Sequence, residues 1–217
     1  MDLQQESMNI AVLAAHPDDA EIWCGGTIAK HVARGDHVRI FGMFQQESGR
    51  VHCAMASAEV LGATYCSCSV EPRGSGLDDA TFRELVDFSP QLVLTHWQHD
   101  SHPEHVEAYR VAQDAVIRLA RASVYVRAMF SFTTYYNRGT DRFFIPEFYV
   151  DVSPEWSRKV RAINLHVDQD PEELVADASV LFAAHGRVIG AAFAEVFAEV
   201  PIFGRLLSRV RSPDFLS

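Results

Sequence analysis

Two stretches decide the fold: Asn9-Ile-Ala-Val-Leu-Ala-Ala15-His16-Pro17-Asp18-Asp19, and Leu92-Val-Leu-Thr95-His96-Trp-Gln-His99-Asp-Ser-His102-Pro103-Glu104-His105. Each is a short apolar run that stops at a cluster of histidines and carboxylates. Apolar runs of that length without alternation read as strands buried on both faces. Outward from them, Gly25-Gly26 opens a helical stretch, Thr27 to Arg34, closed by Gly35. His37 to Phe44 is β-rich, Val51 to Leu61 is helical up to Gly62, and Thr64 to Ser69 is a further strand. Asp78 or Asp79 caps a helix reaching Phe88, and Pro103 sits at the first position of a helix reaching Arg121. The alternation predicts an α/β fold, a Rossmann-like doubly wound, mainly parallel sheet with helices on both faces. Tyr125 to Tyr136 and Phe148 to Val152 are expected strands. Ser153-Pro154 and Asp170-Pro171 are expected helix starts, and Ala191 to Val200 fits helix or strand equally. With strand order 3-2-1-4, strands one and four are neighbours, so their two polar clusters face each other at the switch point.

The 217 residues fit one domain, residues 1–217, with a core large enough to need no staples. Nineteen Lys and Arg against 29 Asp and Glu give a formal charge of −10, which argues against a nucleic-acid partner. No stretch approaches the ~20 apolar residues of a membrane span. No Lys or Arg precedes Lys30, and the run Ile10 to Ala15 is too short for a signal peptide. Cys24, Cys53, Cys66 and Cys68 form no C-x-x-C pair, so the expectation is a cytoplasmic protein with reduced thiols. The G-x-G-x-x-G pattern of a dinucleotide fold is absent.

Ten histidines are present, four of them evenly spaced at 96, 99, 102 and 105. Pro103 breaks that series: His105 falls in the first helical turn, His102 lies just outside it, and His96 and His99 belong to the loop. His16 and Asp19, three apart, share one face of a turn. His16, Asp19 and His105 together make two imidazoles and one carboxylate, with a fourth position left open, the arrangement of a catalytic zinc rather than a structural one. Iron(II) or another divalent ion suits the same donors. Asp18, beside a ligand but not one itself, is placed as general base. His102 is placed to donate to a developing oxyanion, with Glu104 or Asp100 orienting it and keeping it cationic.

Ala15 to Ala29 (AHPDDAEIWCGGTIA) and Thr95 to His105 (THWQHDSHPEH) resemble the two signatures of the PIG-L/LmbE-like zinc-dependent N-deacetylases. The resemblance continues through Ala162 to Gln169 and Arg187 to Phe197, so it spans nearly the whole chain. It implies removal of an acetyl group from an N-acetylated amino sugar, free or in a glycoconjugate, and a symmetric homo-oligomer. It implies the same roles for His16, Asp19, His105, Asp18 and His102. It adds His166 as acid or substrate contact and Arg50 as a holder of a substrate hydroxyl or phosphate. Three positions depart from the pattern. Trp23 replaces the usual Gly and so lines or narrows the pocket, Glu104 replaces an Asp, and Asp168-Gln169 replaces Ser-Gln. Two other readings remain: the same site hydrolysing an ester or a formamide, and a non-catalytic metal- or sugar-binding module. The loops Glu71 to Leu77 and Asn137 to Pro146 are expected to set the substrate's identity.

Overall fold

The computed structural model describes residues 7–71 and 76–202. Most of the Glu71–Leu77 loop, residues 72–75, therefore lies outside the described residues. Seven strands form one sheet of order β3-β2-β1-β4-β5-β7-β6. They are β1 (Asn9–Ala14), β2 (His37–Gly42), β3 (Thr64–Ser67), β4 (Leu92–Thr95), β5 (Ala128–Phe132), β6 (Phe148–Asp151) and β7 (Ala194–Glu199). The five strands from β3 to β5 are parallel, and β7 runs antiparallel to both of its neighbours. The expected order 3-2-1-4 and the mainly parallel sheet are what the chain adopts.

The helices are α1 (Asp19–Ala33), α2 (Ser48–Leu61), α3 (Asp79–Phe88), α4 (Pro103–Arg121), α5 (Trp156–Ile163) and α6 (Pro171–Ile189). Alternate residues of β1 feed two apolar layers, as period-2 geometry requires. Ile10, Val12 and Ala14 pack with residues of α1, α2, α5 and α6, whereas Ala11 and Leu13 pack with α3 and α4. Helices thus cover both faces.

Two local expectations need correction, and one open between helix and strand resolves as strand. The first helix does not start at Gly25-Gly26 but at Asp19, and it is broken at Cys24 (φ −140°, ψ 19°). The second segment opens at the glycines because Glu195 of β7 accepts hydrogen bonds from the N–H groups of Gly26 and Thr27, at 2.8 and 2.7 Å. A Cβ on Gly26 would lie 2.6 Å from the Val152 side chain, so only glycine fits that close approach. The strand expected over Tyr125–Tyr136 stops at Phe132, and Tyr135, Tyr136 and Asn137 turn through left-handed backbone (φ 36°, 58° and 62°). Asn137 holds that turn by accepting from the Thr133 hydroxyl at 2.7 Å. The ambiguous Ala191–Val200 segment is strand β7, inserted between β5 and β6.

Candidate metal centre and active site

β1 and β4 end side by side, with Leu13 opposite Thr95, and their following loops diverge at this switch point. The loop after β1 carries His16 and Asp18, with Asp19 opening α1. The loop after β4 carries His96 to His102, with His105 in the first turn of α4. His102 caps that helix, its Nδ1 accepting the Glu104 backbone N–H at 3.2 Å, and Pro103 occupies the first turn, where a missing N–H costs nothing.

The three expected ligands converge. His16 Nδ1 lies 3.1 Å from Asp19 Oδ2 and 3.3 Å from His105 Nε2, and His105 Nε2 lies 3.3 Å from Asp19 Oδ1. Donors about 2.0–2.2 Å from one tetrahedral ion are separated by about 3.3 Å; the two imidazole nitrogens stand at that spacing, and Asp19 turns one oxygen to each of them. Each imidazole is backed by a carboxylate on its outward nitrogen: His16 Nε2 meets Glu104 at 2.7 Å and His105 Nδ1 meets Asp100 at 3.1 Å. The Asp19 carboxylate is fixed by the His16 backbone N–H at 2.7 Å and by the Trp23 indole N–H at 3.1 Å. Distance alone also groups His16 with His102 and His105, Asp19 with His96 and His105, and His16 with Asp18 and Asp19.

The electrostatics call for positive charge. Burial works against a charged His105, but Asp19 and Asp100 outweigh it and hold the imidazole up at about 10. His16 is raised against the same burial by Asp19 and Glu104. Asp19 stays well below the usual carboxylate range, its burial outweighed by His105 and the histidine hydrogen bonds. The donor set draws protons in where a cation would otherwise sit, so the residues fit a divalent metal.

Asp18 is buried beside this set. Burial and the neighbouring Asp19 charge push its carboxyl up, and Arg50, 3.2 Å away, partly offsets them. Arg50 also donates to Gln45, and Gln45 donates to Glu104 at 2.9 Å, so one polar rim runs from Asp18 to His16.

The expected partners of His102 differ. Glu104 turns its carboxylate to His16, and Asp100 turns one oxygen to His105 and the other to the His102 backbone N–H. Neither carboxylate keeps the His102 ring cationic. Burial and the nearby His105 and His16 charges lower its pKa. With Nδ1 accepting from the backbone, the ring is a neutral imidazole whose Nε2–H is free to donate.

His166 is buried but does not line the cavity at the site. Burial and the Arg50 charge hold it down at about 4, so it carries no proton at neutral pH. As a neutral ring outside the cavity lining, it does not border the space where the expected acid or substrate contact would act. Its Nε2 points instead toward Glu21, 3.8 Å away. His99 does not line the cavity and has its Nδ1 3.2 Å from Asp141.

Two residues escaped the sequence reading. His96 is fully buried, stacked on His105 at 4.0 Å, and its Nε2 accepts the Ala15 backbone N–H at 2.9 Å. Glu21 is fully buried with neither oxygen in a hydrogen bond, and burial pushes it up to about 8. A histidine in a polar loop carries no sign of burial, and a Glu two residues past Asp19 looks like an ordinary first-turn acid.

The cavity over this site has a volume of about 240 Å³ and is bordered by His16, Asp18, Asp19, Arg50 and His102. Among the described residues no helix is long and apolar enough to cross a membrane.

Comparison with known proteins places relatives around these features. A model of the PIG-L family, GlcNAc-PI de-N-acetylase, matches residues 11–65, which hold the first ligand loop and α1. The 1D-myo-inositol 2-acetamido-2-deoxy-alpha-D-glucopyranoside deacetylase of Mycobacterium sp. (strain KMS) is 30% identical over 48% of this chain and 48% of its own. The chain spans about half the length of the curated relatives it matches. The fold is similar to that of N,N'-diacetylchitobiose deacetylase from Pyrococcus horikoshii, with a TM-score of 0.69 at 20% identity, covering 95% of this chain and 88% of that one. It is similar also to GalB, the 4-carboxy-2-hydroxymuconate hydratase from Pseudomonas putida KT2440, with a TM-score of 0.73 at 22% identity, covering 89% and 96%. One fold thus hosts a deacetylase and a hydratase, and the reaction must be argued from the site.

Proposed function

We propose, from the sequence similarity to PIG-L-type de-N-acetylases, that this chain hydrolyses an N-acetyl amide on an amino-sugar-containing small molecule or glycoconjugate, using a divalent metal, zinc by preference. The observation that carries the reading is the open three-donor set His16, Asp19 and His105 with the buried Asp18 carboxyl beside it. A divalent cation held there supplies Lewis acidity, which acidifies water and polarises a carbonyl.

The side chains do the rest. Asp18 takes a proton from water as it adds to the amide carbon, and its raised pKa suits it to return that proton to the leaving nitrogen. No second acid is needed, which accommodates the placement of His166. Arg50 holds Asp18 through its ion pair and presents its remaining donors to substrate hydroxyls. His102 donates its Nε2–H to the carbonyl oxygen as charge builds there, and a neutral donor avoids burying a further charge. The sum is balanced: amide plus water gives carboxylate and amine.

Residues 1–217 are taken as one domain, a reading supported by the single sheet with both faces covered. Four free thiols support a cytoplasmic location.

The test pairs activity with metal content. Asp18→Asn is expected to keep its metal and lose about 10²–10⁴-fold in kcat on N-acetylglucosamine conjugates. His105→Ala and Asp19→Ala are expected to lose the metal itself. An Asp18→Asn enzyme at full activity sinks the assignment of the base, and unchanged metal in the other two sinks the ligand set.

A further inference from the structure

The cavity has two chemically different walls. One is the polar rim of His16, Asp18, Arg50 and Gln45. The other is apolar and built by two helices. α6 presents Leu174, Ala178 and Leu181 at helical spacing, and the first segment of α1 presents Ile22 and Trp23. Trp23 joins this wall to the reacting centre, because its indole N–H is held on Asp19 while its ring meets Tyr135 edge-on at 5.4 Å. Asp177, on the same face of α6, is occupied by the Tyr136 hydroxyl at 2.5 Å and stands at the mouth.

An N-acyl amino sugar is also divided into two chemistries. Its sugar is a ring of hydroxyls, which matches the rim, and its acyl group is hydrocarbon. Five apolar side chains along one wall of the cavity are far more than one methyl group requires. Resting on the proposed amidohydrolase reading, we infer that the wall of Ile22, Trp23, Leu174, Ala178 and Leu181 is an acyl subsite, and that the substrate is an amino sugar carrying an N-acyl chain longer than acetyl. The chain leaves the carbonyl carbon along Trp23 and lies against α6. Hydrolysis releases the short-chain carboxylate and the free amine. Trp23, which stands where the family's pattern has glycine, is the specificity-determining residue closest to the reacting atoms.

The experiment uses the metal-loaded full chain and N-acetyl-, N-propionyl-, N-butyryl- and N-hexanoyl-glucosamine, with kcat/KM read from released amine. Burial of one methylene corresponds to about a fourfold gain in affinity, so kcat/KM is expected to rise about fourfold per carbon from acetyl to butyryl. Ala178→Phe fills the wall and is expected to reverse the order, favouring acetyl over butyryl. Leu174→Gln, at a half-buried position that folding tolerates more readily, is expected to lower the butyryl-to-acetyl ratio several-fold. A wild-type rate that falls with every added carbon overturns the subsite and leaves deacetylation standing. A rise with acyl length that survives in both variants overturns this wall as its location. A rise with the alkyl length of N-acetylglucosaminides, in place of acyl length, overturns the assignment of the wall to the acyl side. Absence of amine from every substrate, acetyl included, overturns the amidohydrolase reading itself.

Discussion

At the residue scale the site is a set of donors in which each imidazole meets a carboxylate on its outward nitrogen. Asp100 and Glu104 stand behind His105 and His16, and a carboxylate behind a ligating imidazole fixes its tautomer and raises its basicity. Asp100→Asn is therefore expected to weaken metal affinity by about 10- to 100-fold, and Glu104→Gln by less, since Glu104 is half-exposed and shared with Gln45. Competition with a chromogenic chelator measures both; an unchanged affinity in Asp100→Asn removes it from the metal's support. Much at this scale was legible. His16, Asp18, Asp19 and His105 could be picked out because Pro103 fixes where α4 begins and strand order fixes which loops meet. The partners of His102 were not. Whether a carboxylate reaches one histidine or its neighbour depends on side-chain torsions, and Glu104 and Asp100 lie about equally near His102 in sequence.

At the element scale the least legible feature is the break in α1. The sequence marks it only by Gly25-Gly26, which reads equally well as a helix start. What makes the break is a carboxylate 169 residues downstream, Glu195, capping Gly26 and Thr27. Lys159 from α5, fully buried, neutralises it with Nζ 2.6 Å from Oε1. This buried pair joins α1, α5 and β7 at the start of the second segment of α1, just past the segment that carries Asp19 and Trp23. Breaking a buried pair leaves one charge without compensation and costs about 3–5 kcal/mol. Lys159→Met is expected to lose that much, and the double substitution Lys159→Met with Glu195→Gln to regain part of it, because glutamine removes the uncompensated charge and its single amide oxygen still accepts from one of the two capped N–H groups. Urea denaturation of the three proteins decides it. A double variant no more stable than the single one would mean that the charge pair does not hold the kink. By contrast α4 and α3 were legible to within a residue, since Pro103 and Asp78 act locally; Asp78 accepts the Thr81 N–H at 2.8 Å.

At the scale of the whole molecule, the loops after the parallel strands β1 and β4 carry His16, Asp19 and His105, and α1 and α6 together carry the apolar wall, so the cavity lies where the parallel half meets α6. The first half was legible because each apolar run is bounded by turn residues. In the second half β6 and the starts of α5 and α6 were legible too, but β7 was not, because Ala194–Glu199 carries Glu195 and Glu199 inside a strand and reads as helix as easily. His185 of α6 helps seal this seam. Its Nε2 accepts from the Asn137 amide at 2.9 Å, at the left-handed turn, and its ring meets Tyr149 of β6 edge-on. Burial holds its pKa down to about 4, against about 6.5 when unfolded. A group depressed in the folded state contributes its stability in full above the unfolded value and loses it as pH falls toward the folded one. Between pH 6.5 and 4 the unfolded chain binds a proton at this position that the folded chain refuses, so stability drops with falling pH. By pH 5 the loss at His185 comes to about 2 kcal/mol, since each unit is worth about 1.4 kcal/mol. His185→Gln keeps a side chain able to accept from Asn137 but does not titrate. Its deficit relative to wild type is therefore largest at pH 7 and shrinks by about 2 kcal/mol at pH 5, as read by urea denaturation at both pH values. A deficit that stays constant between them would mean that His185 enters the folded state with its proton and does not seal the seam as a neutral ring.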